Sequence, residues 1–317
     1  MPALYISIAV IAAALVFIFG GSFYAYRSAF YRNPTKKKVD PYRALKNDGS
    51  ETDNKSRKLI DAILREKFED VYIKSQDGLK LHGYMLYSGE NERFAILMHG
   101  YKSSPFIDFS GGAMLLFRMG YNVIMADERA HGLSEGRTIS FGTLESLDAV
   151  CWARFVEERF GEGTPTALVG ISMGAATVIL AAEKEMPKGV FAAIADCPYS
   201  SAKDIIKKVA KEDMGIPGGL SHFLASVGAR IYGGFSLGAA EPIDAVKRSR
   251  VPLLIIHGEA DGFVPIKMSF AMKAANPDVR LETFPDATHG TSYLYDTHRY
   301  EKITSEFLEE AYLRREK

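Results

Sequence analysis

Residues 164–182, TPTALVGISMGAATVILAA, constrain the fold of this chain more than any other stretch. An apolar run at 167–169 reads as a buried strand, Gly170-Ile171-Ser172-Met173-Gly174 as an abrupt turn, and the alanine-rich remainder as a helix. A serine in that setting sits on a strained backbone, and its neighbours must be small for the strand and helix to approach each other. In return its hydroxyl is presented at the end of a sheet, beside helix amides able to stabilise negative charge. The G-x-S-x-G pattern alone is weak, since Gly132-Leu-Ser134-Glu-Gly136 and Gly234-Phe-Ser236-Leu-Gly238 also fit it. The first lies in a polar, glycine-rich loop with no helix start behind it, and the second has no strand before it. Only Ser172 has both flanks, which makes it the candidate nucleophile and Ser134 and Ser236 loop residues.

The 317 residues suffice for one large α/β domain with a short appendage. Lysine plus arginine and aspartate plus glutamate both number 39, so no global field points to nucleic acid. Cys151 and Cys197 form neither a disulfide framework nor a metal-ligand spacing, and both read as packing residues. Residues 3–19 are almost wholly apolar and the first charge is Arg27. The uncharged run exceeds the roughly 20 residues that a bilayer-spanning helix needs. It reads as a single-pass anchor over 1–26, with Tyr24, Tyr26 and Tyr31 at an interface. Arg27, Arg32 and Lys36-Lys37-Lys38 follow, so the positive-inside rule places the rest of the chain in the cytoplasm. A cleaved signal peptide is the rival reading, but the run lacks a basic n-region and a persuasive small-x-small cleavage site.

Residues 27–57, with Pro34, Pro41 and Gly49, read as a polar linker, and 58–317 as the main domain. Apolar spacing predicts an amphipathic helix over 58–68, and Gln76-Asp77-Gly78 a hairpin between strands at 69–75 and 79–87. Short apolar strands follow at 94–98, 122–126, 167–169, 191–195, 253–256 and 280–284. Helices at 109–119, 144–160, 175–185 and 267–275 alternate with them. This alternation predicts an α/β fold, a mostly parallel twisted sheet covered on both faces. Between 198 and 240 it breaks, and helices near 203–211 and 220–232 with glycine-rich joints predict a small lid.

Five motifs in order carry a resemblance: Met98-His99-Gly100-Tyr101, Asp127-Glu-Arg-Ala-His131-Gly-Leu-Ser-Glu-Gly136, Gly170-Ile-Ser172-Met-Gly174, Ile256-His-Gly-Glu-Ala-Asp261-Gly-Phe-Val-Pro265 and Ala287-Thr-His289-Gly290. From Val71 to Leu313 the chain resembles the α/β-hydrolase superfamily. More narrowly, it is similar to membrane-anchored serine hydrolases related to the catalytic domain of prolyl oligopeptidases. It departs from that pattern at Ala130, where relatives often have glycine.

The resemblance implies the chain order nucleophile, acid, histidine, hence Ser172, Asp261 and His289. Of the seven histidines, His99 and His257 end strands as His-Gly and are read as loop braces. His82, His131 and His222 lie in the hairpin, the glycine-rich loop and the lid, and His298 is the alternative base. Asp196, at the end of the preceding strand, is the alternative acid. Backbone amides of Tyr101 and Met173 are the expected oxyanion donors, and the Tyr101 phenol has two open roles, covering the pocket or donating to substrate. The expected activity is acyl-enzyme hydrolysis of a small-molecule acyl substrate, foremost a carboxylic ester, with no metal or organic cofactor and no nucleic-acid partner. Thioesters and small amides are further substrate classes, and a non-catalytic membrane-tethered binding protein is the alternative function.

Overall fold

The computed structural model describes residues 2–33, 38–43, 45, 48–89, 92–239 and 241–315. Its elements run α1 Pro2–Ala25, a π-helical turn Tyr26–Phe30, α2 Glu51–Ile63, β1 Phe68–Lys74, β2 Lys80–Leu86, β3 Phe94–Met98, α3 Pro105–Arg118, β4 Asn122–Ala126, α4 Glu145–Phe160, β5 Thr166–Ile171 and α5 Met173–Ala182. The chain continues through β6 Val190–Asp196, α6 Ala202–Met214, α7 Gly218–Ile231, α8 Pro242–Ala245, β7 Leu253–Gly258, α9 Lys267–Ala275, β8 Arg280–Phe284, α10 Ser292–Tyr295 and α11 Thr297–Arg315.

The strands form one eight-stranded sheet in the order β1-β2-β4-β3-β5-β6-β7-β8. The hairpin β1–β2 joins antiparallel at one edge, and the other six strands are mutually parallel. The central strands are apolar over most of their length because both faces are covered. In β3, Phe94, Ile96 and Met98 pack under α4 and α5, while Ala95 and Leu97 pack under α3 and α11. In β7 the same alternation sends Leu253 and Ile255 to the first face and Leu254 and Ile256 to the second. A third apolar cluster lies at the carboxyl ends of the strands, where the turn after α1, the loop around Phe141 and the helices α6 and α7 meet.

Two expectations are corrected. Residues 51–57, read as linker, are helical: the helix expected over 58–68 runs from Glu51 to Ile63, and Phe68 opens β1 instead. The start signal is Ser50, whose hydroxyl accepts from Asp53 N at 3.2 Å, with Glu51 and Asp53 in the first turn. The apolar N-terminal helix expected to end near residue 26 runs further. It continues through the π turn to Phe30, and Tyr26, expected at a membrane interface, is buried with Phe30 against the domain. The Tyr26 hydroxyl meets Thr138 Oγ1 at 2.9 Å, Ile139 N donates to Phe30 O, and Arg32 N donates to Arg137 O.

The expected lid consists of α6 and α7. Its boundary residue Ala240 lies outside the described residues, as do Pro34 of the linker and Lys36 and Lys37 of the basic cluster. Helix α1, exposed along nearly its whole length, is long and apolar enough to cross a membrane; an anchor and a signal sequence share those properties.

Candidate active site

Ser172 joins β5 to α5 with φ +56° and ψ −110°, a conformation that a non-glycine residue adopts only when its surroundings hold it there. They do so tightly. A Cβ on Gly170 would lie 2.1 Å from Gly174 O, and one on Gly174 only 1.8 Å from Met98 O. The two motif glycines are therefore demanded by helix α5 crossing directly over β3 and β5. Ser172 N donates to Asp196 O at 2.8 Å, tying the turn to the end of β6.

His289, in the loop after β8, reaches Ser172 Oγ with Nε2 at 2.9 Å and Asp261 Oδ2 with Nδ1 at 2.7 Å. An ionised carboxylate only accepts, so Nδ1 carries the proton and Nε2 accepts from the serine hydroxyl. Asp261, in the loop after β7, is held by Phe263 N and Val264 N on Oδ1, at 2.9 and 2.8 Å. Burial alone would raise its pKa, but hydrogen bonding to His257 and His289, the His289 charge and the Val264 amide outweigh it. The carboxyl is held well below the usual carboxylate range and stays ionised.

The structure thus brings Ser172, His289 and Asp261 into one hydrogen-bonded chain. The alternatives lie elsewhere. Asp196 is fully buried with Oδ1 unpartnered, and its pKa is pushed up to about 6 by burial against the opposing effect of the Tyr300 hydrogen bond. His298 lies in α11. Ser134 Oγ donates to Asp127 O and accepts from His82 N, and Ser236 lies in a loop after α7.

The loop after β3 lies against Ser172, since a Cβ on Gly100 would be 3.4 Å from the Ser172 Cβ. Among the described residues the Tyr101 N–H has no hydrogen-bond partner, while Met173 N–H belongs to the first turn of α5, where helical amides lack an internal acceptor. The Tyr101 phenol donates to Ala29 O at 2.8 Å, so its ring is committed to the π turn that follows α1.

Asp108, which sequence reasoning did not single out, pins this loop. Its Oδ2 accepts from Gly100 N and its Oδ1 from Ser103 Oγ, both at 2.6 Å. The available signal was Ser104-Pro105 opening α3, which puts an acid four residues later in the first turn. His99 and His131 brace the same region. Each donates from Nδ1 to a carbonyl (Gly100 O and Arg129 O) and accepts on Nε2 from an amide (Glu128 N and Lys102 N). Burial lowers both pKa values, which fits neutral rings with fixed tautomers.

Two cavities open beside Ser172. One of about 560 Å³ is bounded by α2, α3 and the His289 loop, and one of about 170 Å³ lies under α6. For metal binding, one His/Cys/Asp/Glu group among the described residues has its ligand atoms within 4.8 Å of one another: Cys197, Asp261 and His289. Two of them are already bonded to each other, and burial pushes the Cys197 thiol up, keeping it protonated and a poor ligand.

Residues 89–221 match the serine aminopeptidase S33 family and residues 218–311 the dienelactone hydrolase family. The uncharacterized protein YqkD of Bacillus subtilis is 24% identical over 261 residues, covering 82% of this chain and 85% of that protein. The alpha/beta hydrolase domain-containing protein WAV2 of Arabidopsis thaliana is 26% identical over 81% of this chain and 83% of its own length. Among solved structures, the Pyrococcus furiosus esterase Pf2001 superposes with a TM-score of 0.63 at 25% identity, covering 79% of this chain and 95% of that one. A putative aryl esterase from Burkholderia cenocepacia gives 0.59 at 21%, over 77% and 99%. The sheet order, the strand–serine–helix turn and the two adjoining family matches agree: the chain is a hydrolase of the α/β-hydrolase superfamily.

Proposed function

We propose that this protein is a serine hydrolase cleaving carboxylic esters through an acyl-enzyme. The observation that carries the reading is the unbroken path Ser172 Oγ, His289, Asp261. His289 Nε2 takes the Ser172 proton as Oγ bonds to the substrate carbonyl carbon, and Asp261 stabilises the imidazolium that forms. The amides of Met173 and Tyr101 receive the developing oxyanion, and the positive end of α5 adds to their field. Collapse of the tetrahedral species re-forms the carbonyl and breaks the bond between its carbon and the ester's alkoxy oxygen, and His289 gives its proton to the departing alkoxide. Water, deprotonated by His289, then attacks the acyl-serine carbonyl; the acid leaves and Ser172 regains its proton. This cycle calls on no cofactor.

Esters are favoured over amides because solved structures of the same fold include esterases. The serine aminopeptidase match makes a peptide amide the second reading. A fluorophosphonate probe tests the mechanism: an adduct on Ser172, lost in Ser172→Ala together with ester hydrolysis, supports it. Failure of folded protein to label or to hydrolyse any ester would leave a non-catalytic binding protein ahead. A panel of matched esters, thioesters and amides ranks the substrate classes.

Residues 2–25 are read as a retained, single-pass anchor, with the catalytic domain on the cytoplasmic side. Support comes from its junction with the domain, where Ser22, Tyr26 and Phe30 are buried, and from Arg27, Arg32 and Lys38 on the domain side.

A further inference from the structure

The two cavities that meet at Ser172 differ in chemistry. The larger is mixed, with apolar Leu115, Leu116, Val169 and Ile194 beside the carboxylates of Asp108 and Asp196 and the hydroxyl of Thr304. The smaller is lined by Ile205, Ile206, Val209 and Met214 of the cap and by Ser28 and Ala29 of the turn that ends the anchor. An ester whose carbonyl sits at Ser172 therefore has one mixed exit and one almost wholly apolar exit. An acyl chain entering the second buries its methylenes with almost no polar group left to desolvate.

The apolar exit is built from two parts that the sequence keeps far apart, and contacts hold them in register. Gly228 of α7 packs so closely on α1 that a Cβ there would lie 2.4 Å from Ser22 O, and Leu224 would meet a Cβ on Gly21 at 3.2 Å. The Tyr232 hydroxyl donates to Phe19 O, and Phe23 stacks edge-on against the Tyr232 ring at 5.3 Å. The cap thus sits at the level of the anchor's last two turns. Along α7, Leu220, Phe223 and Ile231 recur at helical spacing and are 38%, 48% and 51% exposed, while Met214, at the rim of the cavity, is 45% exposed. Beside a membrane-spanning helix this row of apolar side chains meets lipid.

We infer that the turn ending the anchor is one wall of the substrate site, and that the cavity it shares with the cap takes the acyl chain of an ester drawn from the bilayer holding the anchor. The inference rests on Ser172 as nucleophile and on α1 as anchor. The larger, mixed cavity then receives the alcohol part, so the substrate is an ester with an apolar acyl chain and a leaving group that carries both polar and apolar groups.

The test uses the full chain in phospholipid nanodiscs, with p-nitrophenyl acetate, octanoate and dodecanoate as probes. The wild-type protein should favour octanoate over acetate in kcat/KM by about tenfold or more, because the cavity under the lid buries the added methylenes. Ala29→Leu, narrowing the cavity from the anchor side, should reduce the octanoate-to-acetate ratio by about tenfold. Val209→Ala, widening it from the cap side, should move the preference toward dodecanoate. Ratios unmoved by both variants would overturn the acyl-chain assignment.

A second arm identifies the source of the chain. Mono-octanoylglycerol embedded in the enzyme's own nanodisc should be hydrolysed about tenfold faster than the same lipid in separate vesicles. Equal rates would overturn delivery from the bilayer. Loss of both fluorophosphonate labelling and all ester hydrolysis in the wild-type protein is a different result: it removes the nucleophile assignment, and this inference falls with it.

Discussion

Ser172, Asp261 and His289 sit on three separate loops at the carboxyl ends of β5, β7 and β8, so removing any one leaves the sheet intact. His289→Ala is expected to lower kcat by several orders of magnitude while His298→Ala changes little, measured with a short ester; equal losses would point to His298. Asp261→Asn should be severe and Asp196→Asn mild, since only Asp261 touches the histidine. Asp196 offers a separate check through stability. Burial holds its folded-state pKa near 6, above the roughly 3.9 of an unfolded chain. The folded protein therefore binds more protons between these values, and stability falls as pH rises from about 4 to about 6. Asp196→Asn should flatten that slope and add about 1–3 kcal/mol at neutral pH, read from Tm against pH. A slope unchanged in the variant would show that other groups cause it. Ala130, the departure from the family's glycine, has φ +63° and a buried Cβ. Glycine would relieve about 1–2 kcal/mol of left-handed strain. It would give back a similar amount in chain entropy and lost methyl burial, which is why alanine is tolerated there.

At the scale of elements, the parallel strands inside the sheet were legible because each is a short, largely apolar run buried on two faces, and the order of the strands along the chain fixed the Ser172 turn and the two loops downstream. Helix α2 was misplaced for a physical reason. Its first two turns, Glu51 to Arg57, are charged or polar because they face water, and a polar face without its apolar partners in view looks like linker. Only the Ser50 cap marked its start. Ser50→Ala should cost about 1 kcal/mol. The pairing of α1 with α7 was not legible either, since contacts between residues 19–26 and 224–232 leave no periodic trace in either segment. Gly228→Val should force these helices apart. It should lower the stability of the detergent-solubilised protein by about 1–3 kcal/mol or more, seen as a reduced Tm. A silent substitution would mean that the cap does not rest on the anchor.

For the whole molecule, the sequence reads as an N-terminal apolar helix and a domain in separate parts, and what it could not convey is that the turn after that helix and α6 line one cavity. A retained anchor should keep the protein in the membrane pellet after alkaline carbonate, with residues 2–25 present in the mature chain. A mature N-terminus beyond Tyr26 would instead identify a signal peptide. The Tyr101 phenol bonded to Ala29 O has a practical consequence for handling the enzyme. The usual way to obtain such a domain in water is to delete the hydrophobic helix. A fragment beginning after residue 33 would strand that phenol without its acceptor and uncover Phe141 and Phe235, which pack on Phe30. It would also loosen the loop that supplies one of the two proposed oxyanion amides. Such a fragment should aggregate or hydrolyse esters sluggishly, and a weak substrate profile measured on it would describe the cut rather than the enzyme.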